Sequence, residues 1–187
     1  MKELLNNELL KDEQILWCGQ PETSILFSKA DIFLVPFSLL WGGMAFFGIG
    51  STLLKHNLKG NQALPFLPAI IFLVVACYIT FGRFILKAYK KKRTYYFVTN
   101  KRVITLTDMC NRTIQAEFID RTPSINKTVN SQGVGTVSFG NSNPAMAMYG
   151  NTGMDFFGSY YGPSSPIFYD IKDANRVYDM VNDIRKS

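Results

Sequence analysis

The chain has 187 residues, of which 47% are hydrophobic, and a formal net charge of +6. That length leaves room for a membrane-inserted segment and one further domain of about a hundred residues. A single histidine, His56, and three cysteines without paired spacing argue against a Ser-His-acid triad, a histidine-based metal site and a disulfide framework within one chain.

The N-terminal segment, residues 1–31, is acidic, with three lysines against six carboxylates. Within it, Glu13–Pro21 (EQILWCGQP) alternates with a two-residue period and stops at a proline, which predicts one β-strand. A lone strand needs a sheet to join, and the only candidate sheet follows residue 93. We therefore expect this strand to pair with strands that come much later in the chain.

Two long uncharged runs follow, residues 32–54 and 63–82. At about 1.5 Å per residue, their 23 and 20 residues reach roughly 34 and 30 Å, enough to cross a hydrocarbon core about 30 Å thick. Neither run has the polar face that a buried helix of a soluble protein normally shows. They predict two transmembrane helices, 32–54 and 63–86, joined by a short loop into a hairpin. Without Asp, Glu, Lys or His inside either helix, nothing indicates an ion or proton path.

Small residues recur along one side of each predicted helix, and small residues at this spacing let two membrane helices approach closely. They are Ser38, Gly42, Ala45 and Thr52 in the first helix, and Ala69, Ala76 and Thr80 in the second. We therefore expect the two helices of the hairpin to pack against each other along these residues.

The basic flank of the second helix predicts the orientation. Six cations lie between residues 83 and 93, against only Lys55 and Lys59 in the loop. The positive-inside rule places the C-terminal side in the cytoplasm, and a hairpin returns the N-terminus to that side. We expect a two-pass protein of the cell membrane with both termini cytoplasmic, and with the first helix as its uncleaved targeting signal.

After the basic flank the periodicity changes to two, which is typical of β-strands. The predicted strands are 94–98, 103–107, 113–119, 125–129, 134–139 and 166–171. From Asp173 to Lys186, apolar residues recur at steps of three and four, which predicts an amphipathic helix. The predicted fold class is therefore a membrane α-hairpin (32–86) plus a mainly-β domain (87–187), with the final helix packed over a bent antiparallel sheet.

Five segments, taken in this order, resemble a known family: ILWCGQP, DIFLVPFSLLWGG, YYFVTNKRVI, QGVGTVSFGN and FYDIKDANRVYDMV. The family is the bacterial pleckstrin-homology (PH) domain family of small membrane proteins, and the resemblance covers nearly the whole chain. It implies a seven-stranded PH-like bent antiparallel barrel capped by a C-terminal helix. The strand at 13–21 would supply the missing strand, so the membrane hairpin would be an insertion into the barrel or a preface to it.

Two features are candidates for a functional surface. The first is a cation cluster formed by the basic flank and the turn of the first β-hairpin: Lys87, Lys90, Lys91, Lys92, Arg93, Lys101 and Arg102. The second is the long connection 141–165, which is rich in Gly, Asn, Ser and Pro and yet contains Phe156, Phe157, Tyr160 and Tyr161. Its aromatic content favours a contact with a partner or with lipid, and packing on the β domain is the alternative.

We expect a non-enzymatic, membrane-anchored binding or scaffolding module, without cofactor or metal, that associates with a protein partner or with a second copy. The alternative is recognition of anionic lipid headgroups, to which each nearby cation contributes about 1 kcal/mol. Nucleic acid is not an expected partner, because the basic part of the chain lies beside the inner leaflet. The same cations also act as topology determinants, which accounts for most of them.

Overall fold

The computed structural model of this chain describes residues 8–28, 30–55, 66–109, 111–141, 150–154 and 165–186. Its helices are α1 (Asp31–Lys55), α2 (Phe66–Cys77), α3 (Arg83–Lys92) and α4 (Ala174–Lys186). Its strands are β1 (Ile15–Gly19), β2 (Thr94–Thr99), β3 (Arg102–Asp108), β4 (Arg112–Phe118), β5 (Ile125–Val129), β6 (Gly135–Phe139) and β7 (Ile167–Ile171). A π-helical turn, Tyr78–Gly82, joins α2 to α3, and a 3₁₀ turn, Ile119–Arg121, follows β4.

Two helical segments, Asp31–Ser51 and Ile70–Lys92, are long and apolar enough to cross a membrane. Only 6% and 17% of their most apolar windows are buried inside the protein, so neither is the core helix of a globular domain. Large apolar side chains point outward along both, including Ile32, Phe33, Met44, Phe46, Phe47, Ile71 and Val74. The prediction of two apolar membrane-length helices is confirmed.

The two apolar helices approach each other closely at small residues, as their spacing predicts. A Cβ atom added to Gly42 would lie 3.3 Å from the Cβ of Ala76. Ser38, one turn before Gly42, is buried. Its hydroxyl donates a hydrogen bond to the carbonyl oxygen of Val35, so the buried hydroxyl is satisfied within its own helix. Beside this contact, the rings of Trp41 and Phe72 stack with centroids 5.9 Å apart.

The second helix is longer than predicted. It does not end at residue 86 but continues through α3 to Lys92, so the first strand of the C-terminal part begins only two residues later, at Thr94. The basic flank is therefore a rigid helical extension. The loop predicted between the two helices lies, apart from Lys55, outside the described residues.

The seven strands form two open antiparallel sheets, one of four strands in the order β1-β2-β3-β4 and one of three in the order β5-β6-β7. Strand β1 pairs with β2, with Trp17 opposite Val98 and a register irregularity between Ile15 and Trp17. The expectation that the N-terminal strand joins the later sheet is confirmed. Pro21, shortly after β1, fits a strand at the edge of its sheet, where no further N–H groups are needed for pairing.

The core lies between the two sheets and is closed by α4. Phe168 of β7 is fully buried and contacts three rings, those of Trp17 at 6.0 Å, Tyr96 at 4.6 Å and Phe139 at 4.9 Å. Those rings come from β1, β2 and β6, so one aromatic cluster joins both sheets. Helix α4 adds an apolar stripe to the same core, formed by Ala174, Val177 and Val181.

Candidate functional site at the junction of the helices and the sheets

Three cations on α3 are buried where the apolar helices meet the β-sheets. Arg83, Lys87 and Lys91 follow each other at four-residue steps, which places them on one face of the helix. Their exposed fractions are 0%, 3% and 5%. Burying a charge is costly unless it is paired, so each of the three needs partners from the surrounding chain. We call these three residues the cation ladder.

The first rung of the cation ladder faces the start of α1. Arg83 Nη1 lies 2.5 Å from Asp31 Oδ1, and both side chains are buried. The two atoms are in ion-pair contact without hydrogen-bond alignment, and the guanidinium nitrogens have no hydrogen-bond acceptor among the described residues. The guanidinium instead lies over the ring of Phe84, 4.6 Å from its centroid. The attraction between Arg83 and Asp31 is therefore mainly Coulombic.

Asp31 also caps the helix that it begins. Its Oδ2 atom accepts hydrogen bonds from the backbone N–H and from the hydroxyl of Ser28, the latter at 2.7 Å. These bonds fix the turn that leads into α1, and a carboxylate in the first helical turn complements the helix dipole. One carboxylate thus stabilises both the start of α1 and the contact between the two helices.

The other two rungs bind the linker between β1 and α1. Lys87 Nζ donates to the carbonyl oxygen of Leu26 at 2.7 Å. Lys91 Nζ donates to the carbonyl oxygens of Glu22, at 2.9 Å, and of Ile25. Residues 22–28 belong to no helix or strand, so these ammonium groups supply the donors that regular structure would otherwise provide.

Asp170 joins the ladder to the second sheet. Its Oδ2 atom accepts from Lys91 Nζ at 2.7 Å and from Asn151 Nδ2 at 3.0 Å, and its carbonyl oxygen accepts from the backbone N–H of Glu22 at 2.8 Å. The backbone of Asp170 has a φ of 50°, a left-handed conformation that costs a non-glycine residue roughly 1 kcal/mol or more. Nearby, Lys172 Nζ lies 2.7 Å from Glu22 Oε2, and this hydrogen bond lowers the pKa of Glu22.

Residues 150–154 pack against the same helix. The hydroxyl of Tyr78, in the π-helical turn, donates to the carbonyl oxygen of Gly153 at 3.1 Å. Gly153 has a φ of +80°, and a Cβ atom there would collide with the carbonyl oxygen of Arg83. Glycine is therefore required by the backbone conformation and by the close approach together. Short π-helical turns often occur at functional positions, and this one places the Tyr78 hydroxyl on the β domain.

The turn between β2 and β3 is occupied by the N-terminal segment. Arg102 Nε donates to Glu13 Oε1 at 2.9 Å, Arg102 Nη2 donates to the carbonyl oxygen of Glu8, and Lys101 Nζ donates to that of Lys11 at 2.8 Å. Burial alone would raise the pKa of Glu13, but hydrogen bonds, of which the one from Arg102 is the strongest, outweigh it and lower the pKa. These two cations therefore hold the chain's own N-terminal segment.

The predicted cation cluster is thus divided by the fold. Lys87 and Lys91 are buried, Lys90 is half-buried, Lys101 and Arg102 bind the N-terminal segment, and Lys92 and Arg93 are exposed near the end of α3. The Arg93 guanidinium lies 5.6 Å from the centroid of the exposed Tyr89 ring. The aromatic residues singled out in the long connection, Phe156, Phe157, Tyr160 and Tyr161, lie outside the described residues.

Sequence reasoning did not find Asp31 and Asp170 as partners of the ladder. The four-residue spacing of Arg83, Lys87 and Lys91 was a signal of their burial. It places the three cations on one face of the helix, whereas the cations of a fully exposed flank have no reason to share a face.

Among the described residues, no group of three or more His, Cys, Asp or Glu side chains could hold a metal ion. Comparisons with models of known families, with curated proteins and with solved structures found no match.

Proposed function

We propose that this protein is a membrane-anchored, non-enzymatic binding module in which a two-helix hairpin holds a PH-like domain at the inner leaflet. The observation that carries the proposal is the cation ladder. It joins two helices whose outward faces are apolar to Asp170 of the three-stranded sheet and to linker residues 22–26, and it pairs Arg83 with Asp31 of α1. A domain tethered only for localisation needs no such rigid junction, whereas a module that must present one surface at a fixed distance from the bilayer does.

The strand arrangement supports the PH-like part of the proposal. The two antiparallel sheets together have seven strands and are closed by a C-terminal helix that packs in the shared core, which is the number of strands and the final helix that the resemblance implies. We propose that the two open sheets are the two halves of the bent PH-like barrel. A solution structure of the full chain in detergent that separates the sheets, or orders them differently, would contradict this assignment.

The proposed orientation has both termini in the cytoplasm and the loop around His56 outside. The surface cations at the end of α3 support it, because Lys92 and Arg93 then lie beside the inner leaflet. Labelling intact cells with a membrane-impermeant thiol reagent tests it, in a variant without native cysteines. A cysteine in place of Asn61 should react and one in place of Ser187 should not, and the reverse pattern would overturn the orientation.

The primary proposed activity is association with a protein, including a second copy of this chain. Energy transfer between donor-labelled and acceptor-labelled full-length protein in vesicles tests self-association directly. The signal should exceed that of random proximity and should fall as the lipid-to-protein ratio is raised. A signal equal to random proximity at every ratio, together with no cross-linked partner in native membranes, would contradict a scaffolding role.

The second candidate activity is recognition of anionic lipid headgroups, and the exposed Lys92 and Arg93 favour it. Native mass spectrometry of the full chain in detergent should show retention of phosphatidylglycerol in preference to phosphatidylcholine, with loss at high salt because exposed charges are screened. Replacing Lys92 and Arg93 with Gln should abolish the preference. The matched control replaces two exposed cations of α4, Arg176 and Lys186, with Gln, and equal losses in both variants would leave only a net-charge effect.

A further inference from the structure

Among the described residues outside the helices, Phe27 has the most exposed large apolar side chain. Its side chain is 72% exposed, and its ring contacts that of Phe84 with centroids 5.1 Å apart. A phenylalanine on a mobile surface turn would be weak evidence for a binding surface, because single exposed apolar side chains are common. Phe27, however, is held in place, since the carbonyl oxygens of the two residues before it, Ile25 and Leu26, are bound by Lys91 and Lys87.

Several backbone groups of the linker are bonded from inside the protein. Buried ammonium groups bind the carbonyl oxygens of Glu22, Ile25 and Leu26, and Asp31 accepts from the backbone N–H of Ser28. A surface loop in water needs no such donors, because water supplies them. At membrane depth, a non-helical segment is tolerated only where the protein itself satisfies its backbone. These bonds to Ile25, Leu26 and Ser28 are therefore of the kind that a bilayer boundary requires.

The position of Phe27 along the hairpin agrees with that reading. It contacts Phe84, the neighbour of Arg83, and Arg83 pairs with Asp31 in the first turn of α1. Helix α1 has 25 residues, about 37 Å at ~1.5 Å per residue, which exceeds a hydrocarbon core of about 30 Å. A bilayer around the two helices would therefore place the base of the hairpin, which carries the Asp31–Arg83 pair, at the boundary between acyl chains and headgroups.

Other exposed apolar side chains lie on both helices towards this end of the hairpin. Ile32 and Phe33 are exposed in the first turn of α1, and Phe81, Ile85 and Tyr89 are exposed at four-residue steps along the second helix. That second row ends with Tyr89 beneath the Arg93 guanidinium, an aromatic ring followed by a cation, as is typical of the membrane interface. Phe27 continues the lipid-facing surface of the hairpin onto the linker.

We infer that residues 25–28 form an interfacial membrane-binding segment, in which Phe27 inserts among phospholipid acyl chains while Tyr89 and Arg93 lie at headgroup level. The occupant of this surface is the phospholipid of the leaflet next to the β domain. The inference rests on the proposed function, because it requires the two apolar helices to be in a membrane. It adds a third point of contact beside them, which prevents the β domain from tilting freely above the bilayer.

Nitroxide labels on the full-length protein test the inference, in nanodiscs of phosphatidylcholine and phosphatidylglycerol. In a background with Cys18, Cys77 and Cys110 changed to Ser, one variant carries Phe27→Cys. Collisions of the label with oxygen, which concentrates in lipid, are compared with collisions with a water-soluble nickel chelate. The label at residue 27 should favour oxygen at least several-fold over a label at Ser24→Cys, an exposed position in the same linker.

A label at Met44→Cys, an exposed position in the middle of α1, separates the two possible failures. If the label at residue 44 is in lipid and the one at residue 27 is as accessible to nickel as the one at residue 24, the interfacial segment is refuted and the membrane anchor stands. If the label at residue 44 is also in water, the proposed function itself fails. As a second measurement, Phe27→Trp should add fluorescence that brominated phospholipid quenches, and unquenched added fluorescence would likewise refute the inference.

Discussion

Replacing Asp31 with Asn leaves the Arg83 guanidinium fully buried opposite a neutral amide. The Asn side chain keeps an oxygen that can accept from Ser28, so the helix cap is largely retained and the change removes mainly the charge. Removing one partner of a buried ion pair costs roughly 3–5 kcal/mol, because the remaining charge is uncompensated. The alternative acceptors are few, since no described residue accepts a hydrogen bond from the Arg83 guanidinium.

For a chain of this size, each kcal/mol shifts the melting temperature by about 2–4 °C, so Asp31→Asn should lower it by roughly 6–20 °C. Thermal unfolding in nanodiscs, followed by circular dichroism, measures the shift. The matched control is Asp179→Asn, which neutralises an exposed carboxylate of α4 and should change stability by less than about 0.5 kcal/mol.

A double-mutant cycle identifies the cause. Arg83→Met alone should also destabilise, because it leaves Asp31 buried and unpaired, whereas the double variant Asp31→Asn, Arg83→Met should regain most of the loss. An Asp31→Asn variant that melts with the wild type would refute the reasoning, because it would mean that the Arg83 charge finds water or lipid phosphate without its partner.

Three further predictions concern the junction and the N-terminal segment. Lys91→Met removes the donor to two linker carbonyls and a carboxylate, so it should raise amide hydrogen exchange in residues 22–28, whereas Lys92→Met, at an exposed neighbour, should not. Gly153→Ala should destabilise more than Gly133→Ala, because both have a φ of +80° but only Gly153 lacks space for a Cβ atom; equal melting temperatures would contradict the close approach. The lowered pKa of Glu13 contributes stability that is fully present above its ordinary value near 4.5 and is lost as pH falls through the lowered pKa. The melting-temperature gap between wild type and Glu13→Gln should therefore shrink on acidification, and a gap independent of pH would show that the charge is not the cause.

The strands and helices could be predicted from the sequence because their signals are local. Alternation of β-branched and aromatic residues marks β2 and β3, and the predicted bounds 94–98 and 103–107 differ from the observed ones by one residue at each altered end. The pairing of β1 with β2 followed from a general requirement, that a lone strand needs a sheet. Its register, with an irregularity after Ile15, depends on packing across the sheet and had no local signal.

The junction could not be predicted in the same way, because its contacts join distant parts of the chain. Lys91 and Asp170 are 79 positions apart, and Lys87 and Leu26 are 61 apart. A cation after a membrane helix usually faces water and sets topology, so position alone assigned Lys87 and Lys91 to the surface. Their burial depends on the linker carbonyl groups that surround them. Because every residue has a backbone carbonyl group, the amino-acid sequence does not indicate which of them will bind a lysine.

In the membrane protein proposed above, the position of β1 would make completion of the sheet conditional on how the chain inserts. Both apolar helices separate β1 from β2 along the chain, yet the two strands are hydrogen-bonded neighbours. A molecule that inserts only one helix would leave the two strands on opposite faces of the bilayer. Its sheet would lack an edge strand and its aromatic core would lack Trp17, exposing apolar surface to proteases and chaperones. Under the proposed two-span topology, folding itself would therefore check insertion, because only a chain with both ends on one face could assemble this core.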